Sequence, residues 1–104
     1  MEFKKTNGDN VGGTAFATCF HATKKDIVRV FGKPTYEDCN EGEKVQNEWD
    51  FDVDGEPITI YDWKEYREFD DDEDIEWHIG ARFPYDELFI RDVKYEICKK
   101  INEE

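Results

Sequence analysis

Three aspartates at alternate positions, Asp50, Asp52 and Asp54, followed at once by Gly55, form the most explicit chemical pattern in the chain. Calcium loops of the EF-hand type begin this way, but they close with a bidentate glutamate at the twelfth position, which here is Tyr61. Asp70, Asp72 and Asp74 repeat the spacing, yet Ile75 stands in place of the glycine and Ala81 in place of the closing glutamate. The pattern therefore predicts a charged strand and its turn, and no metal site. The two histidines, His21 and His78, and the three cysteines, Cys19, Cys39 and Cys98, show none of the paired spacings of a zinc site. Cys19 and His21 have the parity to share one face of a strand, as a nucleophile and base would, but no glycine-rich elbow or oxyanion motif accompanies them. The expectation is a protein that is not an enzyme and holds no cofactor.

Two other groups of residues could act by binding. Tyr61, Trp63, Arg67, Trp77, His78 and Arg82 combine rings that stack on a planar ligand with guanidinium groups that hold phosphate in bidentate fashion. They are the expected ligand-binding residues, against the plain alternative that the rings are core and the charges solvated. Glu48, Asp50, Asp52, Asp70, Asp71 and Asp72 form the second group, a set of acids that could face a basic partner. Between Glu37 and Glu76 the chain carries 18 Asp and Glu against three bases, Lys44, Lys64 and Arg67, so this stretch holds the whole net charge of −13. Such charge disfavours direct contact with nucleic acid, whose phosphates need Lys and Arg, and with anionic membranes. It favours solubility and basic partners.

The elements that must position these residues follow from periodicity. Thr14 to His21 alternates with a period of two, placing Phe16, Thr18 and Phe20 opposite Ala15, Ala17, Cys19 and His21, and reads as a strand. Thr23 is a helix N-cap with Asp26 in the capping-box position. Ile27, Val30 and Phe31 face a core, and Gly32 and Pro34 end a helix of 23–31. Asp54-Gly55 specifies a two-residue type I′ hairpin within 45–63. Its register pairs Phe51 with Ile58, Trp49 with Ile60 and Asn47 with Asp62. One face then carries Val45, Asn47, Trp49, Phe51, Val53, Ile58 and Ile60; the other carries Gln46, Glu48, Asp50 and Asp52 opposite Trp63, Tyr61, Thr59 and Pro57. Pro57, which cannot donate to a ladder, marks its strand as locally edge-like.

Ile75 to Ala81 is a further strand, with Ile75, Trp77 and Ile79 opposed to Glu76 and His78, and 64–74 is an acidic connection. Tyr85 to Ile101 is a helix with an apolar stripe of Phe89, Ile90, Val93, Ile97 and Ile101. The expected architecture is α+β: an antiparallel sheet of about four strands, hairpin 45–63 central, with two helices on one face, in the order β-α-β-β-β-α. A chain of 104 residues makes one domain, 1–104, with 1–12 and 102–104 expected to be flexible. No signal peptide or membrane span is predicted, and free cysteines suit a reducing cytoplasm.

The segments FGKPTY, NEWDF, DGEPITIYDWKEY and EWHIGA resemble a family of small proteins encoded by phages and large DNA viruses. The likeness covers about residues 16–82, and TIYDWK and WHIGA are its specific parts; the acidic run DDDEDIE and the amino terminus depart from it. The resemblance implies a viral accessory protein that modulates host defence by binding, in the host cytoplasm and without catalysis. Sequestering a nucleotide-like small molecule through the ring-bearing group is the leading expectation. Imitating DNA to block a basic host protein, through the acids, is the alternative, and a structural viral protein, including a homo-oligomer, is the third.

Overall fold

The computed structural model describes residues 1–37, 45–63 and 69–103. In chain order these form β1 (Phe3–Lys5), β2 (Thr14–Thr23), α1 (Lys24–Phe31), β3 (Tyr36–Glu37), β4 (Asn47–Val53), β5 (Glu56–Asp62), β6 (Asp74–Arg82) and α2 (Glu87–Asn102). All strand pairs are antiparallel, in the order β1-β4-β5-β6-β2, with β3 also paired to β4. The α+β class and the two helices agree with the sequence; the expected four strands become six among the described residues. The added strands, β1 and β3, share the free edge of β4: β1 opposite Phe51–Val53, β3 opposite Asn47 and Glu48. Three and two residues long and mostly polar, they are too short to show a period-two pattern.

The hairpin has the predicted register, with Phe51 opposite Ile58 and Trp49 opposite Ile60. Asp54 and Gly55 both take positive φ, 52° and 89°, as a type I′ turn requires. Pro57 does not mark an edge, because β5 lies between β4 and β6. Its missing N–H is tolerated near the strand start, where pairing with β6 begins only at Ile58.

One face of the sheet makes the core. Trp49, Phe51, Val53, Ile58, Ile60, Trp77 and Ile79 join Ile27 of α1 and Ile90, Val93 and Ile97 of α2 in a single buried cluster. Both helices are capped by side chains. Thr23 accepts the Asp26 N–H at 3.1 Å, and Gly32, at φ 82°, returns its N–H to the Val28 carbonyl at 2.7 Å. Asp86 accepts the Leu88 N–H at 2.8 Å, so α2 starts just after the sequence boundary.

The two core tryptophans meet edge to face at 5.5 Å. Each also satisfies its indole N–H on the backbone beside α1: Trp77 Nε1 donates to the Ala22 carbonyl at 3.0 Å and Trp49 Nε1 to the Gly32 carbonyl at 2.9 Å. One ring therefore pins each end of α1 to the sheet. At the end of the core, Asp62 is buried but accepts from the Gln46 N–H, the Asn47 N–H and Asn47 Nδ2 at 2.7–3.1 Å, which compensates its lost hydration.

Residues near both ends, including the 1–12 segment expected to be flexible, make contacts with this frame. Phe3 packs at 5.6 Å from Phe31 and 5.7 Å from Phe51. The Thr6 N–H donates to the Asp50 carbonyl and Asn10 Nδ2 to the Phe51 carbonyl. Arg82, at the far side of the sheet, donates to the carbonyls of Asn10 and Gly12 at 2.7–3.1 Å. Residues 6–13 thus form a strap from the β4 edge to the end of β6. At the other terminus, Arg29 of α1 donates to the Ile101 and Glu103 carbonyls.

Candidate functional site

The second face of the sheet, away from the helices, carries a cross-strand row set by register: Tyr36 on β3, Glu48 on β4, Tyr61 on β5, His78 on β6 and Cys19 on β2. The next row places Asp50 beside Thr59, Thr59 beside Gly80 and Gly80 beside Phe16. A bulge in β2 decides where Phe16 goes. Phe16 pairs with Gly80 and Thr18 with Ile79, so one extra residue, Ala17, interrupts the alternation. Phe20 consequently lies in the core while Phe16 is exposed on the outer face, correcting the uninterrupted alternation that put both on one side.

Three rings surround His78. Its centroid lies 4.7 Å from Phe16, 5.4 Å from Tyr61 and 6.1 Å from Trp63, the last nearly parallel at 24°. Its Nε2 is 3.2 Å from Glu76 Oε1. Beside this cluster opens a cleft of about 430 Å³ lined by Thr14, Ala15, Phe16, Val45, Glu48, Thr59, Tyr61, Trp63 and His78. Next to it, Gly80 lets two of the lining side chains pack close to the strand: a Cβ there would collide with the Thr59 hydroxyl and press on Tyr61. A glycine inside a strand is the sequence signal for such close approach.

Glu48 lies at the boundary between cleft and strap. Burial, then the hydrogen bond and charge of Asp50, push its pKa up to about 8. Asp50 is wholly buried, its pKa also raised by burial, and neither carboxylate oxygen has a donor among the described residues. Two ionised carboxylates offer each other only acceptors, so a proton held between them is what makes the contact favourable. The strap closes over the pair: a Cβ on Gly8 would lie 2.9 Å from Asp50 Oδ2 and 2.6 Å from the Tyr36 hydroxyl, and Gly8 sits at φ 95°. The phenol of Tyr61 is shifted upward by burial and by the neighbouring Glu48.

Of the expected ligand-binding residues, the structure brings Tyr61, Trp63 and His78 together. Trp77 is not with them: it is fully buried on the opposite face against Trp49 and Phe69, because strand parity separates it from His78. Arg82 lies at the end of β6 holding the strap, outside the cleft lining. Arg67 falls outside the described residues. Among the expected partner-binding acids, Asp50 is buried, Glu48 and Asp52 are half-buried, and Asp52 Oδ1 accepts the Gly55 N–H at 2.8 Å in the hairpin turn. Only Asp70, Asp71 and Asp72 are exposed. The sequence did not mark Phe16, Thr59 and Gly80 as site residues.

A second cleft, about 400 Å³, lies between the β5–β6 ends and the start of α2, lined by Pro57, Arg82, Tyr85 and Phe89 among others. It has no comparable convergence of rings around polar groups. Among the described residues no cluster of three metal-ligating side chains occurs, and no helix is long and apolar enough to cross a membrane. No family model, curated protein or solved structure matches the chain.

Proposed function

We propose that this protein is a non-catalytic binder that sequesters a small, nucleotide-like ligand in the cleft on the outer face of its sheet. The observation that supports this most is the convergence of Phe16, Tyr61 and Trp63 on His78 beside the outer-face cleft. Rings carried by three neighbouring strands, with Trp63 just past the end of β5, offer stacking surfaces with little entropy left to lose on binding. Glu48, Thr59 and His78 supply the few convergent polar groups that fix a ligand's orientation in such sites. Among the described residues the one cysteine on this face, Cys19, lies across from His78 in register and is outside the cleft lining, which favours binding over nucleophilic chemistry.

The resemblance of the TIYDWK and WHIGA segments to small phage and viral proteins gives the binding a role: capturing a host signal in the host cytoplasm as an accessory protein. These segments supply Thr59, Tyr61, Trp63, His78 and Gly80. The test is thermal denaturation of the wild-type chain and Trp63→Ala against a panel of cyclic and ADP-ribose-type nucleotides. A ligand that raises the wild-type Tm and leaves Trp63→Ala unmoved supports the proposal. A melting curve unchanged by the whole panel counts against it.

A further inference from the structure

We propose that the cleft selects a planar heteroaromatic cation, an N-alkylpyridinium-type ring, with the π-faces of Tyr61, Trp63 and Phe16 and the carboxyl group of Glu48 as the recognition set. The proposal rests on the small-ligand reading above and specifies the charge of the ring. Aromatic faces carry the negative part of the ring quadrupole and attract delocalised cations, most strongly for Trp and Tyr. Tyr61 and Trp63 meet edge to face, 6.2 Å apart at 80°, so the two rings line the cleft with differently oriented surfaces against which a cationic ring can rest.

The acids supply the second argument. Asp50 is buried with both oxygens lacking a donor among the described residues, next to Glu48 on the same face of β4. A buried carboxylate in that condition is costly unless a proton or a cation compensates it. The groups facing Glu48 are Asp50 on its own strand, Tyr36 on β3, and Tyr61 and then His78 across β5 and β6, with Gly8 of the strap over Asp50. None of the described residues lining the cleft is Lys or Arg. A cation bound over Glu48 would take the place of the proton that burial and Asp50 retain there up to about pH 8.

This has a thermodynamic signature. Cation binding favours the carboxylate, so it releases a proton at pH 7 and tightens as the pH rises from 6.5 to 9. A neutral ring that hydrogen-bonds to the protonated Glu48 tightens in the opposite direction or not at all.

The experiment is a titration of the full chain with 1-methylnicotinamide and with nicotinamide, two rings of nearly equal shape that differ in charge. It is run at pH 6.5 and 9 and followed by the indole N–H resonances. Binding about tenfold tighter for the methylated ring at pH 9, weaker at pH 6.5, and reduced to the level of nicotinamide in Glu48→Gln, is the expected result. Trp63→Ala, a change at an exposed position that leaves the core intact, should lose the cation as well. Equal binding of the two rings, undiminished binding by Glu48→Gln, or no response to either probe overturns the proposal. The nucleotide panel is a separate measurement, so a neutral ligand found there would leave the small-ligand reading standing while this inference falls.

Discussion

The two faces of one sheet use the same residue types for opposite ends. On the helix side, Trp49 and Trp77 are fully buried, each indole N–H is spent on a backbone carbonyl, and each ring fixes one end of α1. On the strap side, Phe16 and Trp63 remain exposed around a half-buried histidine. Carboxylates differ in the same way. Asp62, at the end of the core, accepts three hydrogen bonds, whereas the buried Asp50 carboxylate accepts none from the described residues and sits beside Glu48, whose pKa burial and Asp50 push up to about 8. The proposed function rests on this difference between packed rings on one face and exposed rings on the other.

The contrast can be broken at its strongest point first. Trp77→Ala should cost about 3–5 kcal/mol of stability in urea denaturation, through the cavity it opens and the anchor of α1 that it removes. Trp63→Ala should cost under about 1 kcal/mol, as expected at an exposed position. Similar losses for both would mean that the outer rings are a second core. Asp62→Ala should follow at roughly 2–4 kcal/mol, because three donors lose one acceptor group.

Acidity sharpens the comparison next. Glu48 binds its proton more tightly folded, near pH 8, than unfolded, near 4.5. Its contribution to stability is therefore complete below about pH 4.5 and is lost as the pH climbs towards 8, and the raised Asp50 acts in the same direction. Tm should fall across that window. Glu48→Gln should flatten the decline and raise stability at pH 8.5 by roughly 1–3 kcal/mol, since it removes one of two like charges. An unaltered pH profile in Glu48→Gln would show that the carboxyl pair does not share a proton. The smallest effect is expected at the strap: Arg82→Ala should cost about 1 kcal/mol while speeding amide exchange in residues 6–13.

Much of the core face was legible in the sequence. The Asp-Gly turn set the hairpin register, and the register alone assigned Trp49, Phe51 and Ile60 to one side and Glu48, Tyr61 and Trp63 to the other. Both helix stripes and the Thr23 cap also follow from spacing. The outer face was legible only in part, for reasons that lie in geometry. The bulge at Ala17 turns Phe16 outward without any change in composition. The period-two pattern of Ile75 to Ala81 did separate Trp77 from His78, yet residue type grouped both as ligand-binding, and Trp77 is core. The strap has no periodicity; long-range bonds from Asn10 and Arg82 hold it, and it buries an aspartate that alternation would leave in water.

The most direct test of the outer face as the working face is to identify what it carries. Wild-type protein and Trp63→Ala, purified from host cells under identical mild conditions, would be denatured and the released small molecules compared by mass spectrometry. A ring-bearing compound that accompanies the wild type in near-stoichiometric amount and is absent from Trp63→Ala is the predicted result. The same compounds in both preparations, or none in either, would contradict the assignment of this face to ligand capture.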